Sequence, residues 1–299
     1  MISELAALGA ALCWAIGSLF AVGAVKDLGG FAFTRIRIAM VFVAMLAFVA
    51  VRGTGEPILA SDWPQLIISG VIGIFIGDTA LFVTLSRLGP RRTGILFACN
   101  APFTVILTWL ILDENMNLPA IAGCVLVAAG VVIAIVYGKR RDQVHVWESV
   151  RGRLSIGILI GLLAALGQAV SSLLLAPTLA HGADPVTVTT IRVGIALVAL
   201  YAFRFMFPDL SRAQSAMTAS LFTRTLISGL LGMAIGMSLL LFAFAHGAMG
   251  ISAALSSTTP VMLIPIIWVL SGERPAAGAW VGAVLAVSGT ILIVLRNSI

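Results

Sequence analysis

The chain has 299 residues, of which 60% are hydrophobic and only 10% charged, and a net charge of +6. Soluble domains carry about a quarter charged residues, so this composition excludes an ordinary water-soluble enzyme. A bilayer core about 30 Å thick takes about 20 apolar helical residues per crossing, so ten crossings leave roughly 100 residues for connections and no room for a sizeable soluble domain.

Apolar runs fall at 4–22, 31–51, 64–85, 93–112, 118–137, 153–175, 185–207, 222–245, 248–270 and 275–295. Each is long enough to span as a helix, and none alternates as a barrel strand does. Between them lie breakers: Lys-Asp-Leu-Gly-Gly at 26–30, a polar stretch at 52–63, Gly89-Pro90, 113–117, Gly-Ala-Asp-Pro at 182–185, and only His246-Gly247-Ala248 between spans eight and nine. The apolar residues of the first run start at about Leu5, after a leader containing Glu4 and no Lys or Arg, unlike the basic start of a cleavable signal peptide. The positive charges sit in the connections, and no basic helix with interleaved aromatics supports nucleic-acid binding. Cys13, Cys99 and Cys124 lie in apolar runs without a CxxC pair or paired His, so packing roles are expected, with no disulfide framework, no metal and no cofactor.

The longest polar stretch, 139–153, divides the chain nearly in half. Sliding the second half back by 159 positions superimposes Ser69-Gly70 on Ser228-Gly229, Gly73 on Gly232, Gly77 on Gly236, Trp109 on Trp268, Glu114 on Glu273, Gly123 on Gly282 and Gly130 on Gly289 without a gap. Thr34-Arg35-Ile36-Arg37 matches Thr189-Thr190-Ile191-Arg192 at a slightly smaller offset. A five-helix unit has been duplicated, and because five is odd the second copy enters from the opposite face. Such inverted repeats are common in alternating-access transporters, with the substrate near mid-membrane at the repeat interface. The expected organisation is a first repeat over 1–138, a basic linker over 139–152 and a second repeat over 153–299.

An Arg two turns into the second helix of each repeat (Arg37, Arg192), a Pro in the fourth (Pro102, Pro260) and an acid closing it (Glu114, Glu273) resemble the EamA-type branch of the drug/metabolite transporter superfamily. The resemblance covers the whole chain. It implies an all-α membrane protein, ten transmembrane helices as two inverted five-helix repeats around a central cavity lined by spans one, three, four, six, eight and nine. It also implies movement of small metabolites, with amino-acid exporters, aromatic ones included, among the family's members.

Loops after odd-numbered spans hold thirteen positive residues: Lys26, Arg87, Arg91, Arg92, Lys139, Arg140, Arg141, Arg151, Arg153, Arg204, Arg212, Arg224 and Arg274. The opposite side has two, Arg52 and Arg296. The positive-inside rule then places odd loops in the cytoplasm and both termini outside a bacterial-type inner membrane, whereas the resemblance implies cytoplasmic termini in many members.

Polar stripes at helical spacing report a bundle interior or an aqueous cavity. Span four carries Thr93, Phe97, Asn100, Thr104 and Thr108 on one face, and span nine repeats the start of it as Ser252, Ser256 and Thr259. The paired stripes, Asn100 above all, are expected to line the cavity; singly, such hydroxyls also serve as interhelical hydrogen bonds worth about 0.6 kcal/mol each. Asp78 is the acid deep in span three, flanked on its face by Phe75 and Phe82. An ionised carboxylate at that depth costs at least about 2.5 kcal/mol, so it lines water, pairs with a cation or is protonated. Candidate roles are binding a substrate ammonium or carrying a coupling proton, beside a structural hydrogen bond near a shallow end. Trp14 with Ser18 in span one, Gln168 with Ser171 and Ser172 in span six, and Ser238 with Phe242 in span eight complete a set suited to a small amphipathic zwitterion. Arg37 and Arg192 are expected to snorkel to the interface in a structural role, and Glu114 and Glu273 to anchor loops. Glycines four apart (Gly73 and Gly77, Gly157 and Gly161, Gly232 and Gly236, Gly278 and Gly282) pack helices closely. Pro102, Pro260 and Pro265 leave kinks, those at Pro102 and Pro260 being candidate gates.

The first reading is therefore a secondary transporter that exports small metabolites, amino acids foremost, with the lipid bilayer and a small-molecule substrate as partners, no nucleic acid, and a monomer or weak homodimer. An exchanger of phosphorylated or nucleotide-linked metabolites is the alternative, and it would want Lys or Arg clustered at mid-membrane. An enzyme is not expected: no Gly-x-Ser-Gly nucleophile with a His in another span, paired intramembrane aspartates, HExxH motif or GxxxxGK phosphate loop occurs.

Overall fold

The structure, a computed structural model, describes residues 2–53, 58–112, 117–138, 150–247, 252, 255–256 and 258–295, except the side chains of Thr108, Leu112 and Val294. Glu114, Arg296 and positions 139–149 of the linker lie outside that range. The described chain is all helix and follows the expected order of spans. Span one is Ile2–Leu28, span two Gly30–Arg52, span five Leu118–Tyr137, span six Leu154–Ala180, span seven Pro185–Met206 and span ten Ala277–Val294. Spans three, four, eight and nine are composite.

Single glycines turn the chain where two spans follow each other most closely. Gly29 (φ 82°) joins spans one and two, and Gly89 (φ 80°) joins spans three and four; both angles lie where a side chain would clash with the backbone. Side-chain caps start the later helices. Asn117 accepts from the Ala120 amide, Asp184 from the Thr187 amide and Thr218 from the Leu221 amide, with a proline next in line after Asp184 and one residue further on after Asn117.

The two repeats interlock. Span five lies along span ten, span two packs on span seven, span one on span eight and span six on span three. The contact of spans five and ten is self-complementary: a Cβ at Gly123 would fall 2.6 Å from the Gly289 carbonyl oxygen, and one at Gly130 2.6 Å from that of Gly282. Because Gly282 and Gly289 are the repeat mates of Gly123 and Gly130, each glycine faces the mate of the other. Only antiparallel helices related by a two-fold axis produce that crossing, so the repeats are inverted. The outer surface is apolar, with Phe205 82% and Val269 83% exposed; such a surface suits lipid.

Span three runs Trp63–Ser69 as α-helix, Gly70–Asp78 as π-helix and Thr79–Leu88 as α-helix again. Span eight repeats this with Ala219–Gly229, a π segment at Leu230–Met237 and Ser238–His246. A π-helix bonds five residues apart, and Gly77 sits 3.1 Å from the Ile72 carbonyl oxygen and Gly236 2.8 Å from that of Leu231, measured from where a Cβ would be. Span four is interrupted between Pro90–Phe97 and Asn100–Leu112, and Thr259–Ser271 of span nine follows a turn at Thr258. The two breaks share one bond: the Cys99 amide donates to Leu96 O at 3.1 Å and its mate Thr258 to Leu255 O at 3.2 Å. Proline supplies the cause. Pro260 has no amide for the Ser256 carbonyl, which accepts from the Thr259 hydroxyl at 2.9 Å instead. The expected kinks at Pro102 and Pro260 take the form of breaks of the helical ladder just before each proline.

Candidate functional site

Three charged side chains meet at the centre. Asp78 ends the π segment midway along span three, and Arg37 Nη1 donates to its Oδ2 at 3.1 Å. Arg37 is 3% exposed and Arg192 1%, so the expected snorkelling is corrected: both side chains turn inward. The reason is reach. Each arginine lies two turns from its helix end, but its chain crosses to the middle of a neighbouring span. Arg37 Nη2 lies against Gly232 and Arg192 Nη2 against Gly73, at 2.7 and 3.0 Å from where a Cβ would stand. The π segments and their missing side chains make the room.

The two arginines are repeat mates with unlike partners. Arg37 has Asp78 and stacks its guanidinium 4.6 Å from the Phe82 ring centre, which meets Phe33 edge-on at 4.9 Å. Arg192 Nη2 donates to Ser171 Oγ at 2.6 Å, and Ser171 shares a 3.0 Å hydroxyl contact with Ser69. Its Nε and Nη1 are buried without a hydrogen-bond partner. Beside it lies a narrow cleft, with free space for about one water, lined by Gln168, Ser172, Leu175, Leu179, Met237, Leu240, Leu241 and Phe244. Span six ends at Ala180 and span eight at His246, so the cleft runs toward the end of the molecule carrying the loops after even spans.

Other expected site residues distribute around this centre. Trp14 Nε1 donates to the Gly232 carbonyl at 2.8 Å, which ties span one to the π segment of span eight. The Ser18 hydroxyl bonds Ala15 O and the Thr104 hydroxyl Asn100 O; Asn100 opens the second half of span four and Phe97 closes the first. Thr259 also reaches Ala11 O at 3.4 Å, and Ser256 is buried. Ser238 has a buried hydroxyl without a partner. Trp14, Phe82 and Phe242 do not converge: Trp14 packs on the cluster around Ile74 and Met233, Phe82 belongs to one with Val25 and Leu28, and Phe242 to one with Ala6 and Ala243, stacked 4.1 Å from His246. Gln168, Ser172 and Arg192 share the cleft, while Ser171 supports it from behind.

The two ends are stapled differently. Arg151 donates to Lys26 O and its amide to Arg87 O, and Arg35 donates to Ser211 O, gathering the odd loops. At the other end Arg52 pairs with Asp184 at 2.7 Å and His181 with Asp62 at 3.1 Å. Burial pushes the Asp184 carboxyl up, but the Thr187 amide and hydroxyl and the Arg52 guanidinium outweigh it and hold it below the usual carboxylate range.

Ten membrane-crossing segments built from two inverted halves, with broken and widened helices around a cleft at mid-depth, are the architecture of a membrane transporter. The chain belongs to the EamA-like transporter family, whose model matches residues 1–136 and again 155–295, one match per repeat. It is 27% identical over 277 residues, 90% of this chain and 84% of the other, to a protein of Streptantibioticus cattleyicolor named "Probable terminal-alkyne amino-acid exporter". An "Uncharacterized transporter" of Archaeoglobus fulgidus is 29% identical over 178 residues, 58% of this chain and 59% of that protein. A solved crystal structure superimposes with a TM-score of 0.70 at 18% identity over 99% of this chain and 97% of its own, a likeness of fold.

Proposed function

We propose that the protein is a secondary transporter of the inner membrane that exports small metabolites, amino acids with apolar side chains foremost, by alternating access at the repeat interface. The observation that carries this reading is the cleft between spans six, seven and eight, where polar groups of Gln168, Ser172 and Arg192 face six apolar side chains at mid-depth. Few polar groups in an apolar pocket orient a small amphipathic ligand. The name of the Streptantibioticus cattleyicolor relative supports amino acids as the class.

In the proposed cycle the cleft widens toward the even-loop end, which the positive-inside rule turns outward. The breaks before Pro102 and Pro260 serve as hinges, and rocking one repeat against the other exposes the same site to the cytoplasm. In the structure Asp78 is engaged by Arg37, so it acts as a counter-ion, and a substrate ammonium meets Gln168 and Ser172 instead.

The buried arginines lend the phosphorylated-substrate alternative the mid-membrane cations it needs, but Asp78 offsets one of them, leaving a single net positive charge against a phosphate monoester's two negatives. Efflux from bacterial cells lacking their own amino-acid exporters and loaded with dipeptides tests the reading. Expression is expected to raise efflux of an apolar amino acid; unchanged efflux of all of them would contradict it.

A further inference from the structure

The repeat symmetry leaves one position conspicuously unfilled. From the Arg37 site to the Arg192 site, the arginines themselves matching at the slightly smaller offset, the 159-residue offset relates Gly232 to Gly73 across the repeats, Phe82 to Leu241, Thr79 to Ser238, and Asp78 to Met237. Leu241 and Met237 both line the cleft with Arg192. Where Arg37 meets a carboxylate, its mate shares the cleft with the thioether of Met237. The inventory of charge agrees. At the centre the guanidiniums of Arg37 and Arg192 share one carboxylate, Asp78, which leaves a net positive charge, and buried positive charge that is not fully compensated is costly. Arg192 is 1% exposed with Nε and Nη1 unpaired, and an unpaired guanidinium N–H makes a charge-assisted hydrogen bond to a carboxylate.

We propose that the cleft is a carboxylate-binding site in which Arg192 takes from the substrate the carboxylate that Asp78 supplies to Arg37, the cleft widening so that the substrate's apolar body lies along Leu175, Leu179, Leu240 and Phe244. The proposal rests on the transporter reading and narrows its substrate class to apolar compounds with one carboxylate. Ser171, pulled onto Nη2 and backed by Ser69, is a positioning residue that fixes the guanidinium plane. No carboxylate of the protein lines the cleft among the described residues, so an ammonium adds little to recognition and its removal is tolerated.

The test uses the purified full-length protein and its thermal midpoint as the readout of binding. The probes are L-leucine and L-phenylalanine, their deaminated forms 4-methylpentanoate and 3-phenylpropionate, and their decarboxylated forms 3-methylbutylamine and 2-phenylethylamine. The carboxylates are expected to stabilise the wild type and the amines not. Arg192→Gln is expected to weaken carboxylate binding at least about tenfold, the factor of one charge-assisted hydrogen bond, with Arg192→Lys restoring part of it. Met237→Asp installs the missing mate of Asp78: it is expected to raise the midpoint without ligand and to abolish carboxylate binding, an outcome that misfolding cannot mimic. Amines that stabilise as well as carboxylates, or Met237→Asp with unchanged carboxylate binding, would overturn the site even if amino acids are transported. Binding of the deaminated acids that depends on Arg192, without binding or transport of any amino acid, would uphold the site while removing the amino-acid reading.

Discussion

Asp78 is the residue on which the charges of the interior balance. Its carboxylate pairs with Arg37 at 3.1 Å and lies within electrostatic range of Arg192. Removing one partner of a buried ion pair costs about 3–5 kcal/mol because the other is left uncompensated. Asp78→Asn is therefore expected to lower the thermal midpoint sharply, and the double change Asp78→Leu with Arg37→Met to be milder than Asp78→Asn alone. A thermal-unfolding cycle of Asp78→Leu, Arg37→Met and the double variant, with Asp78→Asn beside it, measures this; a double variant at least as destabilised as Asp78→Asn would contradict it. At the molecule's edge Asp184 gives a pH signature. Its folded pKa is depressed, so its stabilisation is present above the unfolded value of about 3.9 and is lost as pH falls through the lower folded one. Asp184→Ala should cost about 1 kcal/mol as a lost helix cap and flatten the acid limb of a midpoint-versus-pH curve below about pH 4. The charge on Asp78 was legible in the sequence as an anomaly, and pairing with a cation was one of its readings. The partner was not legible, because depth counted along a helix places Arg37 and Arg192 near ends, and only the packing of spans two and seven against the π segments turns them inward.

Elements were legible to the extent that hydropathy reports them: the order and the approximate bounds of the spans follow from apolar runs and breakers. The two π segments were not, since nothing in the Gly-rich runs at 70–78 and 230–237 separates a five-residue ladder from a four-residue one. Their repetition at matched positions marks them as built features, and rare π-helices concentrate at functional sites. Gly123 and Gly282 were legible as repeat markers, but their joint role at the crossing of spans five and ten required the fold. Gly123→Val and Gly282→Val are expected to lower the midpoint by similar amounts, because each drives a side chain toward a facing carbonyl at 2.6 Å. Gly94→Ala, with its nearest neighbour at 3.9 Å, should be tolerated. Equal behaviour of all three in the same thermal assay would contradict the crossing. Pro102→Ala and Pro260→Ala return an amide to each broken ladder; if the breaks are hinges, the transport rate falls while substrate affinity is kept, and unchanged rates would remove the hinge role.

For the molecule as a whole the duplication was readable from matched glycines, serines and acids alone, and an odd number of helices per repeat made the inversion a matter of geometry. The cleft was not readable: it arises where the symmetry fails, at Met237 opposite Asp78 and at Gln168 and Ser172 on span six, and departures from a repeat carry no periodic signal. The gathering of odd loops around Arg87 and Arg151 gives the charge bias a physical surface. A C-terminal alkaline phosphatase fusion is expected to be active and a fluorescent-protein fusion dark, as the positive-inside rule requires for external termini; the reverse pattern would invert the proposed orientation and with it the face to which the cleft opens. Movement of an amino acid through this cleft between the inverted repeats is measured by counterflow in proteoliposomes containing only the purified protein. Apolar L-amino acids, assayed with and without a pH gradient, are predicted to exchange saturably and to lose that exchange in Arg192→Gln; vesicles that accumulate none of them above the protein-free control would contradict the account.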